Sequence, residues 1–405
     1  MAEIPWIWRP GRRRSRAARA AGVSLLTAAV AGASLSPAAG AVSRPEHSAA
    51  AMAGELHGVW CAGASDCVAV GDHFSEAHGL GEALIERWNG STWSVVPSPS
   101  PIHFPHSGAE LDGVTCVSAN DCLAVGWHLF SHSQNRELPF SVRWNGSKWS
   151  QVNAPFPTGS FSTSLSAVSC ASATDCWASG VSSLGTPPDT ITITEHWNGS
   201  KWAIVPSPNP NPNPRNGNLL AGMACPAAAE CWAVGFMPRS SGTVSLTERW
   251  NGRKWVVVTT PSSTDGQLAA DSCSTRAACL AVGNDDSGFA LAQLWNGSRW
   301  LAEKPVRPGG VTRSAFEAVS CPGTACVAVG NDVTAGTVVS LAEGWSGTKW
   351  TVEPTPNPSR ATFTFLQGVA CTSGRNCWAA GEWGSPTGPR TLIEHWNGSA
   401  WSITG

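Results

Sequence analysis

The chain has 405 residues, with 26 Lys and Arg against 28 Asp and Glu and a formal net charge of −2. Charged residues make up only 13% of it, which excludes the basic stripe that draws a protein to nucleic acid or anionic lipid. Its 14 Cys and 22 Trp are the outlying counts, and they prove to be periodic.

Arg12, Arg13, Arg14, Arg16 and Arg19 form a basic run, followed by apolar residues 20–35 and the small-residue end Ser36-Pro37-Ala38-Ala39-Gly40-Ala41. That order is the order of a secretory signal peptide, and cleavage is expected after Ala41. An uncleaved anchor is the alternative, but the apolar stretch is short for a bilayer and broken by Gly. The paired arginines raise a twin-arginine route, although apolar residues do not follow them closely. Residues 42–53 read as a small, polar, flexible linker.

From there a repeat runs through the chain. Trp-Asn-Gly recurs at Trp88, Trp144, Trp197, Trp250, Trp295 and Trp396, with Trp345-Ser346-Gly347 in the sixth copy. A second Trp follows five positions later, at Trp93, Trp149, Trp202, Trp255, Trp300, Trp350 and Trp401. Upstream of each lies a cysteine pair: Cys61/Cys67, Cys116/Cys122, Cys170/Cys176, Cys225/Cys231, Cys273/Cys279, Cys321/Cys326 and Cys371/Cys377. Self-similarity at this period marks a solenoid or a propeller. The repeats span approximately 54–108, 109–163, 164–217, 218–265, 266–313, 314–363 and 364–405.

Each repeat reads as four strands, in the first copy 56–61, 67–71, 83–88 and 91–96. Alternating Val, Ile, Leu and Trp carry the strand period, and no helical period follows the leader. Asn89-Gly90 predicts a type I′ hairpin with positive φ at both residues, which places Trp88 and Trp93 on one face as diagonal neighbours. The long, Pro-rich connection from strand four to the next strand one suits a crossing from the outside of one sheet to the inside of the next. Strand one is then innermost, in keeping with the small residues Gly58, Gly113, Ala167, Gly222, Ala270, Ala318 and Gly368. The predicted fold is all-β, a seven-bladed β-propeller of four-stranded antiparallel blades; an open β-solenoid is the alternative. The phase of the repeat predicts that no strand is borrowed and that the first and last blades meet face to face.

Repeat length resembles kelch-type propellers in architecture, without their double glycine. The small-Val-x-Cys strand, the Cys-x-Ala-Val-Gly strand, the Leu-x-Glu-x-Trp-Asn-Gly hairpin and the Pro-Ser-Pro-Asn-Pro crossing resemble secreted actinobacterial repeat proteins from Leu56 onward. The resemblance implies a propeller and export, and implies no chemistry. Departures are Val142 and Gln293 in the Glu position, Asp271 for the strand-one Val, Ser346 for Asn, and one residue fewer between Cys321 and Cys326.

For the cysteines, metal or redox chemistry competes with one local disulfide per blade, and the regular short spacing favours disulfides. The fourteen repeat tryptophans are either sugar-stacking platforms or, as their recurrence argues, packing between blades. Glu86, Glu195, Glu248, Glu343 and Glu394 occupy equivalent places in different blades, which suits half-buried acceptors of backbone or indole N–H bonds better than a glycosidase pair. Asn-Gly-Ser at Asn89, Asn145, Asn198, Asn296 and Asn397 matches a glycosylation sequon, and turn chemistry explains it.

Histidine is uneven. His73, His78, His103, His106, His128 and His132 fall in the expected loops of blades 1 and 2, near Asp72, Glu76 and Glu110, and are the candidate ligand-binding residues. Solvated loop histidines are the plainer reading. The count of Tyr is 0, which excludes galactose-oxidase-like and sialidase chemistry, and no nucleophile elbow or zincin motif occurs.

The expected function is a secreted or cell-surface, non-catalytic binding scaffold, using the long-loop face against a glycan or a protein. No catalytic residue, metal or cofactor is assigned. A monomer is expected, with no nucleic-acid partner and no membrane span once the leader is removed. The alternative is an extracellular hydrolase or lyase at the axial mouth, with Asp285, Asp286 and Asp332 as candidate carboxylates. Three or more acidic or His side chains converging on one axial point would favour the enzyme.

Overall fold

The computed structural model describes residues 51–404 except 75–80, 102–107, 132–135, 186–188, 212–216, 240–241 and 262–264. The expected leader and most of the linker lie outside the described residues, as do Glu76, His78, His103, His106 and His132.

Consecutive strands build seven separate four-stranded antiparallel sheets, the blades of a β-propeller. Blade 1 consists of β1 (Gly54–Gly63), β2 (Asp66–Phe74), β3 (Gly81–Trp88) and β4 (Trp93–Val95). The corresponding first strands are β5 (Ala109–Ser118), β9 (Ser160–Ser172), β13 (Leu219–Ala227), β17 (Gly266–Thr275), β21 (Val311–Ser320) and β25 (Thr364–Ser373). These first strands pack on one another from blade to blade, β1 against both β5 and β25. Small residues permit the approach: a Cβ at Gly58 would stand 3.0 Å from the carbonyl of Asp112, and one at Gly368 would stand 3.0 Å from the carbonyl of His57. The last blade therefore meets the first through bare backbone.

No sheet borrows a strand, but the entering chain adds a strap. Met52 N donates to Thr391 Oγ1 (3.0 Å), Thr391 N donates to Met52 O (2.9 Å) and Arg390 donates to Ala51 O (2.8 Å). In blades 1, 3 and 6 the equivalent backbone N–H is taken by a side chain of the outgoing crossing. Ala83 N donates to Ser100 Oγ (3.2 Å), Thr192 N to Asn209 Oδ1 (2.9 Å) and Ser340 N to Asn357 Oδ1 (3.3 Å). Residues 51 and 52, placed in the linker by sequence, thus do on blade 7 what those crossings do elsewhere.

All seven predicted disulfides form, and there is no free cysteine. In blades 1, 2, 3, 5 and 7 the bonded cysteines are direct cross-strand partners. Seven disulfides fit an oxidising environment. No helix among the described residues is long and apolar enough to cross a membrane.

The predicted staples also sit deep in the fold. Sequence reads the cysteines as local staples of a hairpin, yet the second cysteine of each pair is also a core residue. Cys67, Cys231 and Cys377 are fully buried and Cys279 is 1% exposed. The second strand lies between the first and third of its own sheet, so its side chains face the neighbouring blades. Cys67 accordingly packs with Trp93 and Trp378, Cys231 with Trp177 and Trp255, Cys279 with Trp232 and Trp300, and Cys377 with Trp401 and Val329. Each disulfide therefore ties its hairpin to an apolar junction as well as closing a loop.

The second hairpin differs from the type I′ expectation. Gly90 has φ +94° but Asn89 is not in the positive-φ region, and the loop spans four residues, 89–92. Its geometry comes from the Asn side chain: in blade 2, Asn145 Oδ1 accepts from Ser147 N (3.0 Å), Lys148 N (3.0 Å) and Ser147 Oγ (2.8 Å). The third-place Ser is therefore a turn residue. Trp88 and Trp93 consequently lie directly opposite each other, with ring centroids 5.8 Å apart, rather than diagonally. Asn145→Ala leaves two N–H groups uncapped and is expected to cost about 1 kcal/mol. A urea midpoint unchanged by that substitution would contradict this account of the turn.

The core lies between blades. Leu56, Val59, Leu84 and Trp93 of blade 1 pack with Trp378, Ala380 and Ile393 of blade 7, and equivalent clusters fill the other junctions. Trp88 meets Trp378 at 4.7 Å across the same junction. Each indole buries an area worth, at about 25 cal/mol per Å², on the order of 4 kcal/mol gross. Several first-position indoles also donate to the cysteine hairpin of their own blade, as Trp88 Nε1 does to Ala64 O (3.0 Å).

Candidate functional site

In every blade the first strand carries one residue more than its partner between the Leu (Phe in blade 6) and the small residue. In blade 1 Leu56 pairs Gly71 and Gly58 pairs Val70, so His57 is the bulged residue. The equivalents are Asp112, Ser166, Ala221, Ala269, Glu317 and Gln367. Seven innermost strands thus place seven bulged residues around the axis, toward the end where the long connections emerge; the disulfides and Trp-Asn-Gly turns lie at the opposite end.

Three neighbouring blades use this ring to build a site. His57 Nδ1 lies 3.1 Å from Gln367 Oε1 of blade 7. His57 Nε2 lies 3.3 Å from Asp72 Oδ1 of its own blade and 3.2 Å from Glu110 Oε1 of blade 2. Glu55 joins from β1: ligand atoms of Glu55, His57 and Asp72 lie within 4.8 Å of one another. The side chains of His57, Asp72 and Glu110 are 9%, 24% and 16% exposed, so the site is shielded but not sealed.

The charges act on each other strongly. Burial opposes the imidazolium, yet Glu110, followed by Asp72 and Asp112, holds the His57 pKa well above its ordinary value. Burial raises Glu110 well above the usual carboxylate range, and Asp112 and Asp72 add to this while His57 opposes it.

The predicted histidines are not what forms this centre. His73 and His128 are strand residues, because the second strands extend beyond the Gly at which sequence ended them. His128 is 7% exposed and stands edge-on to Phe140 at 6.2 Å, a packing position. Asp72 and Glu110, noted only as neighbours of those histidines, are central. His57 was missed, although a variable residue between Leu56 and Gly58 in a repeat whose partner strand has no insertion is the signal of a bulge.

The cysteines contribute no ligand-facing group. Buried as they are and bonded to their partners, Cys67, Cys231, Cys279 and Cys377 offer no thiolate to a metal or a redox partner. Their role is packing and stapling, at the end of the blades away from His57.

The alternative catalytic carboxylates are engaged elsewhere. Asp285 accepts from Phe289 N (2.9 Å) and pairs with Arg307 (3.1 Å), closing a turn. Asp286 accepts from Thr243 N of blade 4 (2.9 Å). Asp332 is buried in the second strand of blade 6, and burial raises its pKa to about 6.

The recurrent glutamates are buried between blades. Glu343 accepts the backbone N–H of Val306, from the crossing between blades 5 and 6 (2.9 Å). At the place of Val306 the other crossings carry Pro99, Pro155, Pro208, Pro261 and Pro356, which have no N–H to give. Both carboxyl oxygens of Glu195, Glu248 and Glu394 are accordingly buried without a hydrogen-bond donor. The expected pattern of satisfied glutamates holds at Glu343 and fails at these three. Burial raises Glu86 and Glu343 to about 7 and Glu394 to about 8.

Fold and site together define the chain as a seven-bladed, disulfide-stapled β-propeller with a His–carboxylate centre at one axial end. No family model matches it, and no curated protein is similar to it in sequence. Among solved structures it is similar to YCF48 bound to D1 peptide, at 12% identity over 85% of this chain and 92% of that chain, with a TM-score of 0.50. It is also similar to a chain of the mitotic checkpoint complex, at 10% identity over 91% and 99% of the two chains (TM-score 0.51). The six-bladed fucose lectin of Aleuria aurantia matches at 12% identity over 86% and 95% (TM-score 0.45). At these identities the likeness establishes the propeller fold alone.

Proposed function

We propose that the chain is an exported binding scaffold whose long-loop face takes a carbohydrate or protein ligand, anchored at the axial His57–Asp72–Glu110 centre. The observation that carries this reading is convergence: blades 1 and 2 aim an imidazole and carboxylates, and blade 7 an amide, at one partly shielded point, on the face where the variable connections emerge. Stiff sheets beneath that point keep it preorganised. Export is supported by the disulfides and by the leader-like N-terminus. A propeller of similar fold holds a peptide, which is consistent with this use of the architecture.

The same convergence meets the condition set above for a hydrolase or lyase, and that is the second reading. Against it, both ring nitrogens of His57 are engaged, which leaves no free base. Residues 42–405 should be screened on glycan, cell-wall and peptide arrays, alongside Asp72→Asn and Glu110→Gln. Binding that weakens tenfold or more in the variants supports the scaffold; product release from bound glycans supports the enzyme. A ligand bound equally well by the folded variants would remove this centre from the function.

A further inference from the structure

Gln367 presents Oε1, an acceptor, to His57 Nδ1, so that nitrogen carries the ring hydrogen. The other nitrogen, Nε2, then faces Asp72 Oδ1 at 3.3 Å and Glu110 Oε1 at 3.2 Å, both acceptors. An electron-poor centre has to stand among them: a proton on Nε2, or a metal ion. A proton on Nε2 accounts for these two oxygens, whereas the ligand atoms of Glu55, His57 and Asp72 gather within 4.8 Å of one another, a grouping that also suits an ion.

A metal ion serves Glu55, His57 and Asp72 together. Donors held at about 2.0–2.2 Å by one tetrahedral ion stand roughly 3.3 Å apart, as His57 Nε2 and Asp72 Oδ1 do, and the Glu55 donor lies within 4.8 Å. A metal-bound histidine normally gives its remaining N–H to a fixed acceptor, the part Gln367 plays from the neighbouring blade. Several carboxylates around one imidazole also leave excess negative charge that a dication would neutralise.

We propose that Glu55, His57 and Asp72 form a binding site for a divalent transition-metal ion, Zn²⁺ or Mn²⁺, near the seam of blades 7, 1 and 2, with Glu110 beside the imidazole. The imidazole donor selects against Ca²⁺, which prefers an all-oxygen shell. Oxidised cysteines do not compete for the ion, since all are in disulfides. The site rests on the reading of the axial centre as the functional end of the propeller, and gives that reading a cationic anchor for a sugar hydroxyl or a peptide carboxylate.

Isothermal titration of the EDTA-stripped, disulfide-intact chain with ZnCl₂, MnCl₂ and CaCl₂ tests it. One equivalent of Zn²⁺ or Mn²⁺ is expected to bind and to raise the melting temperature, with Ca²⁺ at least tenfold weaker. His57→Gln should weaken binding a hundredfold and Asp72→Asn or Glu55→Gln tenfold each. If His57→Gln does not fold, the Asp72→Asn/Glu55→Gln pair decides. No saturable binding up to millimolar metal, a preference for Ca²⁺, or equal affinity in the folded double variant overturns the proposal. Ligand arrays repeated in EDTA separate the two readings, because ligand binding retained there removes the metal and keeps the scaffold.

Discussion

Reduced with a phosphine and held at physiological temperature, the chain is expected to lose its near-ultraviolet circular dichroism and its cooperative melting. Each disulfide closes a loop between cysteines six apart in sequence, or five in blade 6, and contributes about 2 kcal/mol in the chain-entropy account. Seven such staples sum to the whole net stability of an ordinary domain, about 5–15 kcal/mol. The blades have little to replace them, since β4 and its equivalents are only 3 or 4 residues long. Repeat architectures add local stabilities, so the loss falls on every blade at once. A reduced chain that melts cooperatively within a few degrees of the oxidised one would sink this account.

The second large effect is on pH dependence. Glu394 is buried against a crossing that offers Pro356 where blade 5 offers Val306, so its carboxyl finds no donor and its pKa rises from 4.5 to about 8. In the unfolded chain the group ionises near 4.5, while the folded chain keeps the proton. Stability is therefore full below 4.5, falls as pH rises from there, and levels off only above about 8. The loss is on the order of 5 kcal/mol for this group, and Glu195 and Glu248, raised by the same burial, act in the same direction.

Glu394→Gln removes the titration. Blade 5 already uses this residue: Gln293 donates to Ser245 Oγ of blade 4 (3.3 Å), and Ser340 occupies the equivalent place on blade 6. The variant is expected to come close to the parent at pH 5 and to exceed its stability at pH 8 by about 3 kcal/mol, as read by urea unfolding at both. Equal midpoints at pH 8 would show that Glu394 is ionised and satisfied in the folded protein.

Much of the architecture was legible because it is written seven times. Blade number, cysteine pairing, strand-one placement and the small axial residues follow from spacing and from the size of one side chain. What was not legible is what repetition does not fix. The hairpin was misassigned because Asn-Gly signals two turn geometries, and Ser147 Oγ on Asn145 decides between them. The depth of Cys67 and its counterparts was hidden too, because spacing reveals a partner and not what lies behind the sheet. The functional centre was sought among clustered loop histidines, yet it joins His57 to Gln367 from the opposite end of the described chain. Only ring closure brings those residues together. The orphan glutamates were hidden similarly, since their environment depends on a proline in the preceding crossing.

The local cysteine pairing has a consequence for biogenesis. With the correct partner always the nearest one ahead in the chain, each sulfur bond can be made as soon as its hairpin forms, before the next blade folds. Fourteen thiols then need no reshuffling, and oxidative maturation proceeds in the order of synthesis. Only the last step, docking the final blade on the first, waits for the complete polypeptide.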